Sequence, residues 1–511
     1  MTTTLHSIAT APTAGVIKLT NCFLIKGDEL AAEDLWISSR TGKILDGQDT
    51  FYGGQTLPDA TVDLGGRIVS PGFIDVQLNG AFGFDFSVVP EDLEHYSQGV
   101  RRVGQGLIKT GVTSYLPTLT SQRSEVYHKT LRYLGPSGGA RRAEDGSESL
   151  GAHCEGPFIS PGKHGIHSRD VLLSAPRGFP DLVECYGKSN LGDAAPIRDN
   201  DDDPFAAPLP IKMITAAPEV GRIAAAIPEI TSRNIIYSIG HSEATFEEAT
   251  AAVEAGATMI THLFNAMRPL HHRNPGIFGV LGRKPEPAST NTTRPPYFGI
   301  IADGQHLHPT TVKIAYNAHP DGFILVTDAT PLVGLPDGLY DATNGMRILK
   351  RGIAVTSEDS KTIAGSSITL IECATNFLNW TGSSLPQTIK TITLTPAKML
   401  GLGNVKGTLE SGADADLVVL RVVDAADGAV ASTGIGEPDT SSSQDLGDKA
   451  PDTAGNGLGV PESQRQGRRK SESAIPGLGP TEEHRYTGRK IVLDQVWKFG
   501  RKVFDRADCK E

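Results

Sequence analysis

The chain has 511 residues, 38% of them hydrophobic, with 59 acidic against 48 basic side chains and a formal net charge of -11. That length exceeds one ordinary domain and allows two or three. The acidic balance excludes general nucleic-acid or anionic-membrane binding, but not an anionic small molecule held by a few placed cations. Five cysteines (Cys22, Cys154, Cys185, Cys373 and Cys509) show no paired spacing, which fits a reducing compartment. No basic-then-apolar leader opens the chain, and no apolar run is long enough to span a bilayer. The expected location is the cytoplasm, with neither nucleic acid nor membrane as a partner.

In chain order, short strands come first, over Val16–Ile25 and Leu35–Leu45. Eight apolar or β-branched runs follow: Phe73–Leu78, Val112–Leu116, Leu150–Cys154, Ile211–Thr215, Ile235–Ile239, Thr258–His262, Phe298–Ala302 and Phe323–Thr327. Such runs read as strands buried on both faces. Helical patterns lie between several of them. Leu93, Tyr96, Val100, Val103 and Leu107 make one apolar stripe, Thr245 to Ala255 ends at Gly256, and Pro309 opens a third helix. The alternation predicts an α/β fold, a (β/α)8 TIM-like barrel. Further strands at Met346–Leu349, Ile353–Thr356, Leu417–Leu420 and Ile491–Phe504 predict a small β-sandwich domain built from N- and C-terminal segments. The expected division is 1–70 for the N-terminal part of the small domain, 71–340 for the barrel and 341–366 for small-domain strands. Residues 367–403 supply the remaining barrel helices, and 404–424 with 488–511 the C-terminal part of the small domain. Residues 425–487, rich in Gly, Ser, Asp, Glu and Pro, read as a disordered insertion. Residues 189–208 and the shorter stretch 135–149 also lack hydrophobic periodicity and read as surface insertions.

Polar residues fall at the C-terminal ends of the strand candidates: Gln77, Glu155, His241, His262, Asp303 with His306, and Asp328. In a barrel of this kind that end carries the active site. One carboxylate and two imidazoles, Glu155 with His241 and His262, make a normal ligand set for zinc or a similar divalent ion. From spacing alone the same residues fit hydrogen-bonded structural roles equally well. Asp328 reads either as a proton-transfer carboxylate or as a helix N-cap. Gln77 stands where many barrel metallohydrolases carry His-x-His. Amides are weak zinc ligands, so the site reads as holding one metal per chain, with Gln77 holding water in the vacant position. Arg273 could grip a phosphate bidentately, or be a solvated surface side chain. His164, His167 and His306 are candidates to meet a polar substrate.

Several motifs carry a resemblance. They are Pro71-Gly-Phe-Ile-Asp-Val-Gln-Leu-Asn-Gly80, His153-Cys-Glu-Gly-Pro-Phe158, Lys163-His-Gly-Ile-His167, Gly240-His-Ser242, Thr261-His-Leu-Phe-Asn-Ala-Met267, Ile301-Ala-Asp-Gly304 and Leu325-Val-Thr-Asp-Ala329. Together they resemble the N-acetylglucosamine-6-phosphate deacetylases of the amidohydrolase superfamily. The resemblance implies a homodimeric metal-dependent amide hydrolase, acting on an amino-sugar phosphate to release acetate. By matching position it implies Glu155, His241 and His262 as metal ligands and Asp328 as catalytic acid/base. It implies His167 and His306 at the substrate, and the Asn265–Ala266 backbone with Arg273 on the phosphate side, Arg273 in its own or the neighbouring subunit's site. Two alternatives stand beside it. One is another superfamily enzyme, cleaving a cyclic amide or an N-acyl amino acid; the other is a non-catalytic sugar-phosphate-binding barrel.

Overall fold

The computed structural model describes residues 15–192, 209–282, 294–341, 347–359, 363–424 and 488–509. The segment 425–487 and most of 189–208 lie outside the described residues.

All eight expected strands form one parallel sheet. They are β1 (Phe73–Leu78), β2 (Val112–Leu119), β3 (Ala152–Glu155), β4 (Ile211–Ala216), β5 (Ile236–Ile239), β6 (Met259–Ile260), β7 (Tyr297–Ile301) and β8 (Phe323–Val326), each paired with its sequence neighbour. The ends of β1 and β8 meet through a parallel bridge between Leu78 and Ala329 and an Asp328 N–H to Gln77 carbonyl bond of 2.9 Å. The sheet is thus a nearly closed barrel. Alternate side chains on a strand face opposite ways. Phe323 packs on Tyr316 and Phe377 of the helices Pro309–Ala318 and Leu370–Thr381. Ile324 and Val326 instead join Ile74, Val76, Leu116, Met213 and Met259 in a separate inner cluster. The helix Leu93–Leu107 forms over the stripe expected for it, and Phe246–Glu254 starts at a Thr245–Glu248 capping box.

The flanking strands make a second, mostly antiparallel sheet. Its order is Arg501–Asp505, Arg489–Lys498, Leu417–Asp424, Ala60–Pro71, Val16–Lys26, Leu35–Ser38 and Lys43–Leu45. Leu19, Leu24, Ile37, Val69, Leu417, Val419 and Trp497 fill its core. Strands also form within 341–366, but they pair among themselves. Gly338–Asp341, Arg347–Arg351, Ala354–Ser357 and Ile363–Ser366 build a four-stranded antiparallel meander. It has its own small core of Leu332, Ile348, Val355 and Ala364, and Ser366 bridges to Ala329 beside the barrel rim. Antiparallel strands close together in sequence satisfy each other locally, which leaves them no need of the terminal strands.

The stretch 135–149 is built into the fold. Glu148–Ser149 pairs with β2, and the Glu148 carboxylate is buried against the Lys406 and Lys498 ammonium groups. Lys498 also bonds Asp416 at 2.8 Å and the Thr113 carbonyl at 3.0 Å, while Lys406 reaches Asp414 at 2.9 Å. This ionic cluster joins barrel and terminal sheet.

Candidate active site

Several strand ends deliver polar side chains to the same rim. Glu155 is the last residue of β3, and His241 and His262 each lie two residues past β5 and β6. Their reactive atoms converge. Glu155 Oε1 lies 3.2 Å from His241 Nε2 and 3.0 Å from His262 Nε2, and the two nitrogens are 3.0 Å apart. Ligand atoms on a tetrahedral ion with bonds of about 2.0–2.1 Å would sit about 3.4 Å from one another. The observed triangle is therefore close to the right size for a divalent cation.

Tautomers support the same fit. His241 Nδ1 lies 2.7 Å from the Lys163 carbonyl, so it carries the proton and leaves Nε2 bare towards the cluster. His262 Nδ1 is buried with no partner. His167 also offers an atom within 4.8 Å of Glu155 and His241. Its Nδ1, however, accepts the Ser121 N–H at 3.1 Å, so in the neutral ring Nε2 carries the proton. That ring is a donor rather than a ligand, and burial pushes its pKa down to about 3. Burial opposes ionisation of Glu155, but the adjoining His241 and His262 rings hold it well below the usual carboxylate range. Gln77 Nε2 donates to Glu155 Oε1 at 3.0 Å, orienting the carboxylate.

Asp328 follows β8 by two residues. Enclosure of its carboxyl and the nearby Glu155 charge push it up to about 6. Asn79 Nδ2 donates to its Oδ1 at 2.7 Å. His306 is half-buried and bonds Asp303 Oδ2 at 2.7 Å. Burial opposes its protonation, but the Asp303 charge outweighs burial and raises its pKa. Next to Asp328, Thr327 donates to the buried Asp75 at 2.6 Å, clasping β8 to β1, and burial pushes Asp75 up to about 7.

Three of these side chains sit on left-handed backbone: His241 at φ 49°, His262 at 28° and Asp328 at 45°. Phe264 and Ala266 in the loop after His262 do likewise, at 76° and 50°. L-residues seldom adopt such conformations, and they concentrate where function over-determines the chain. Asn265 Nδ2 is buried and unpartnered in that loop, and the Ala266 carbonyl accepts the Ser242 N–H at 3.1 Å. Arg273 stays apart. It is exposed, and its guanidinium makes no hydrogen bond or ion pair with these residues. Asn79, Ser121 and the Lys163 carbonyl complete the site. Sequence spacing singles out none of them, although Asn79 belongs to the Gln-Leu-Asn-Gly motif.

The amidohydrolase family model matches residues 68–440. A curated N-acetylglucosamine-6-phosphate deacetylase of Homo sapiens is 42% identical over 409 residues, covering 80% of this chain and 92% of that protein. The chain belongs to the N-acetylglucosamine-6-phosphate deacetylase family of amidohydrolases. A deacetylase of Caenorhabditis elegans is 35% identical over 407 residues, covering 79% and 90%. The solved deacetylase structure from Pasteurella multocida superimposes with a TM-score of 0.63 at 26% identity, covering 79% of this chain and 95% of that one.

Proposed function

We propose that the chain hydrolyses the acetamide of N-acetylglucosamine 6-phosphate, giving glucosamine 6-phosphate and acetate. The observation that carries this reading is the convergence of Glu155, His241 and His262 beside Asp328 at the rim, in a chain 42% identical to a protein named for that activity. A divalent ion held by Glu155, His241 and His262 would supply an activated water and polarise the acetamide carbonyl. Asp328, ionised, takes the proton of the attacking water as its oxygen bonds to the carbonyl carbon. His167, with its proton on Nε2, donates to the carbonyl oxygen as charge builds there. Asp328 then returns the proton to nitrogen as the C–N bond breaks, so the amine leaves neutral. Arg273, His306 and the Asn265–Ala266 backbone hold the sugar phosphate. Gln77, already bonded to Glu155, fills the place of a second-metal ligand.

Further parts of the reading have their own support. Nitrogen and oxygen donors favour zinc, one ion per chain. Arg273 is exposed and its guanidinium has no ion-pair partner among the described residues, as an arginine serving a neighbouring copy in a homodimer would be. Cys22, Cys154, Cys185 and Cys373 are buried free thiols, which suits the cytoplasm. No helix among the described residues is long and apolar enough to cross a membrane.

The test is acetate release from N-acetylglucosamine 6-phosphate beside the unphosphorylated sugar, each with and without chelator. We expect rapid, chelator-sensitive turnover of the phosphorylated sugar. Equal rates on both sugars, or indifference to chelator, would remove this reading.

A further inference from the structure

We infer that Asn79 is a positioning residue for proton transfer, fixing which oxygen of Asp328 carries the proton. Asn79 lies just past β1, and its backbone is held on both sides. Its N–H donates to the Ala329 carbonyl at 2.8 Å, and its carbonyl accepts the Phe86 N–H at 3.1 Å. The side chain is only 8% exposed. Nδ2 donates to Asp328 Oδ1 at 2.7 Å, yet the Asn79 amide oxygen is buried with no partner among the described residues. Burying an amide with its oxygen unpaired costs stability, so packing alone is a poor reason for an asparagine here. The two ends of an amide are told apart by their partners, and a carboxylate oxygen accepts only from the NH2 end. The Asp328 contact therefore sets the orientation of the group.

The consequence falls on Asp328. A free carboxyl can turn and present either oxygen. Here an N–H occupies Oδ1, and the backbone is locked by the Asp328 N–H to Gln77 carbonyl bond of 2.9 Å. Oδ2 accepts no hydrogen bond from any described residue, so the proton taken from water and returned to nitrogen rides on Oδ2. The charged and titratable groups coupled to this carboxyl include Glu155, His262, His306 and the buried Asp75 on β1. None of them caps Oδ1. The inference rests on the proposed deacetylase chemistry for its reaction, but not for its geometry.

The test uses Asn79→Leu, and Asn79→Ala should the larger side chain spoil folding. In either variant we expect kcat to fall about tenfold to a hundredfold, with KM within about threefold and metal content unchanged. The acidic limb of the rate profile should move up by about one pH unit, because a donor to the carboxylate has been lost. In an Asp328→Asn background the Asn79 change should cost nothing further. The same multiplicative loss there, a rise in KM with kcat kept, or an unmoved acidic limb would overturn the role. Infrared titration of the Asp328 carboxyl, identified by its absence in Asp328→Asn, needs no substrate. Its midpoint should rise in Asn79→Leu, and an unchanged midpoint would overturn the inference. A parent chain that releases no acetate sinks the deacetylase reading alone, leaving the infrared comparison to decide Asn79.

Discussion

At the scale of single residues, the chemistry depends on groups held away from their ordinary states. Asp328 is raised to about 6 by enclosure and the charge of Glu155, and it must be ionised to accept a proton. kcat/KM is therefore expected to fall as pH drops through about 6, because the protonated form cannot act as base. A rate that instead rises from pH 7 to pH 5 would contradict this assignment. Asp328→Asn keeps the shape and the Asn79 neighbour but cannot carry the proton. It should lower kcat by about a hundredfold to ten-thousandfold while bound metal stays at the parent level, as read by elemental analysis. The shared rim of Glu155, His241, His262 and Asp328 was legible in the sequence because each lies at or just past the end of an apolar strand, and a strand end can be read locally. Asn79 was not, because its partner lies 249 residues away and the contact exists only once β1 meets β8. The tautomers were equally hidden, since they depend on a loop carbonyl at Lys163 and a backbone amide at Ser121.

At the scale of elements, apolar periodicity finds strands and helices but is silent on segments held by charge. Residues 135–149 read as a surface insertion for that reason. They contribute a buried carboxylate, Glu148, shared by two lysines, and Arg141, paired with Asp414. Lys498 is fully buried between Glu148 and Asp416. Removing one partner of such a cluster strands the others without compensation. Lys498→Met should destabilise the protein by roughly 3–5 kcal/mol, measured by urea unfolding, with metal content of the folded fraction unchanged. A loss within a few tenths of a kcal/mol would show that the cluster is merely tolerated. The cluster also predicts acid sensitivity. Burial opposes ionisation of Asp416, but the Lys406 and Lys498 charges hold its pKa below the usual range. Its contribution is thus present above the unfolded value of about 3.9 and lost as pH falls towards the lower folded value.

Across the whole molecule, the eight-strand alternation was readable because a parallel barrel repeats one local pattern. The pairing of 341–366 was not, because a short antiparallel strand carries no mark of which sheet it joins. The terminal sheet offers a clean test of the 425–487 segment. Leu417–Asp424 and Arg489–Lys498 pair in antiparallel register up to Asp424 opposite Arg489. Asp424 and Arg489, which flank the segment, therefore lie one strand spacing apart, close enough for a tight hairpin turn. Replacing 425–487 with a short Asn-Gly turn should leave thermal stability and acetate release near parent values. Loss of either would mean that the segment contributes to the barrel or its site.

The same sheet has a consequence in time. Ala60–Pro71 pairs on one side with Val16–Lys26, which is made early, and on the other with Leu417–Asp424, which is made late. At roughly 5–20 residues per second on the ribosome, the second partner arrives tens of seconds after the first. Until then the strand leading into the barrel presents a bare edge, the kind of surface on which nascent chains aggregate. The barrel is thus synthesised between the two halves of its own clasp. Its yield in a cell should depend on whatever shields that edge during the wait.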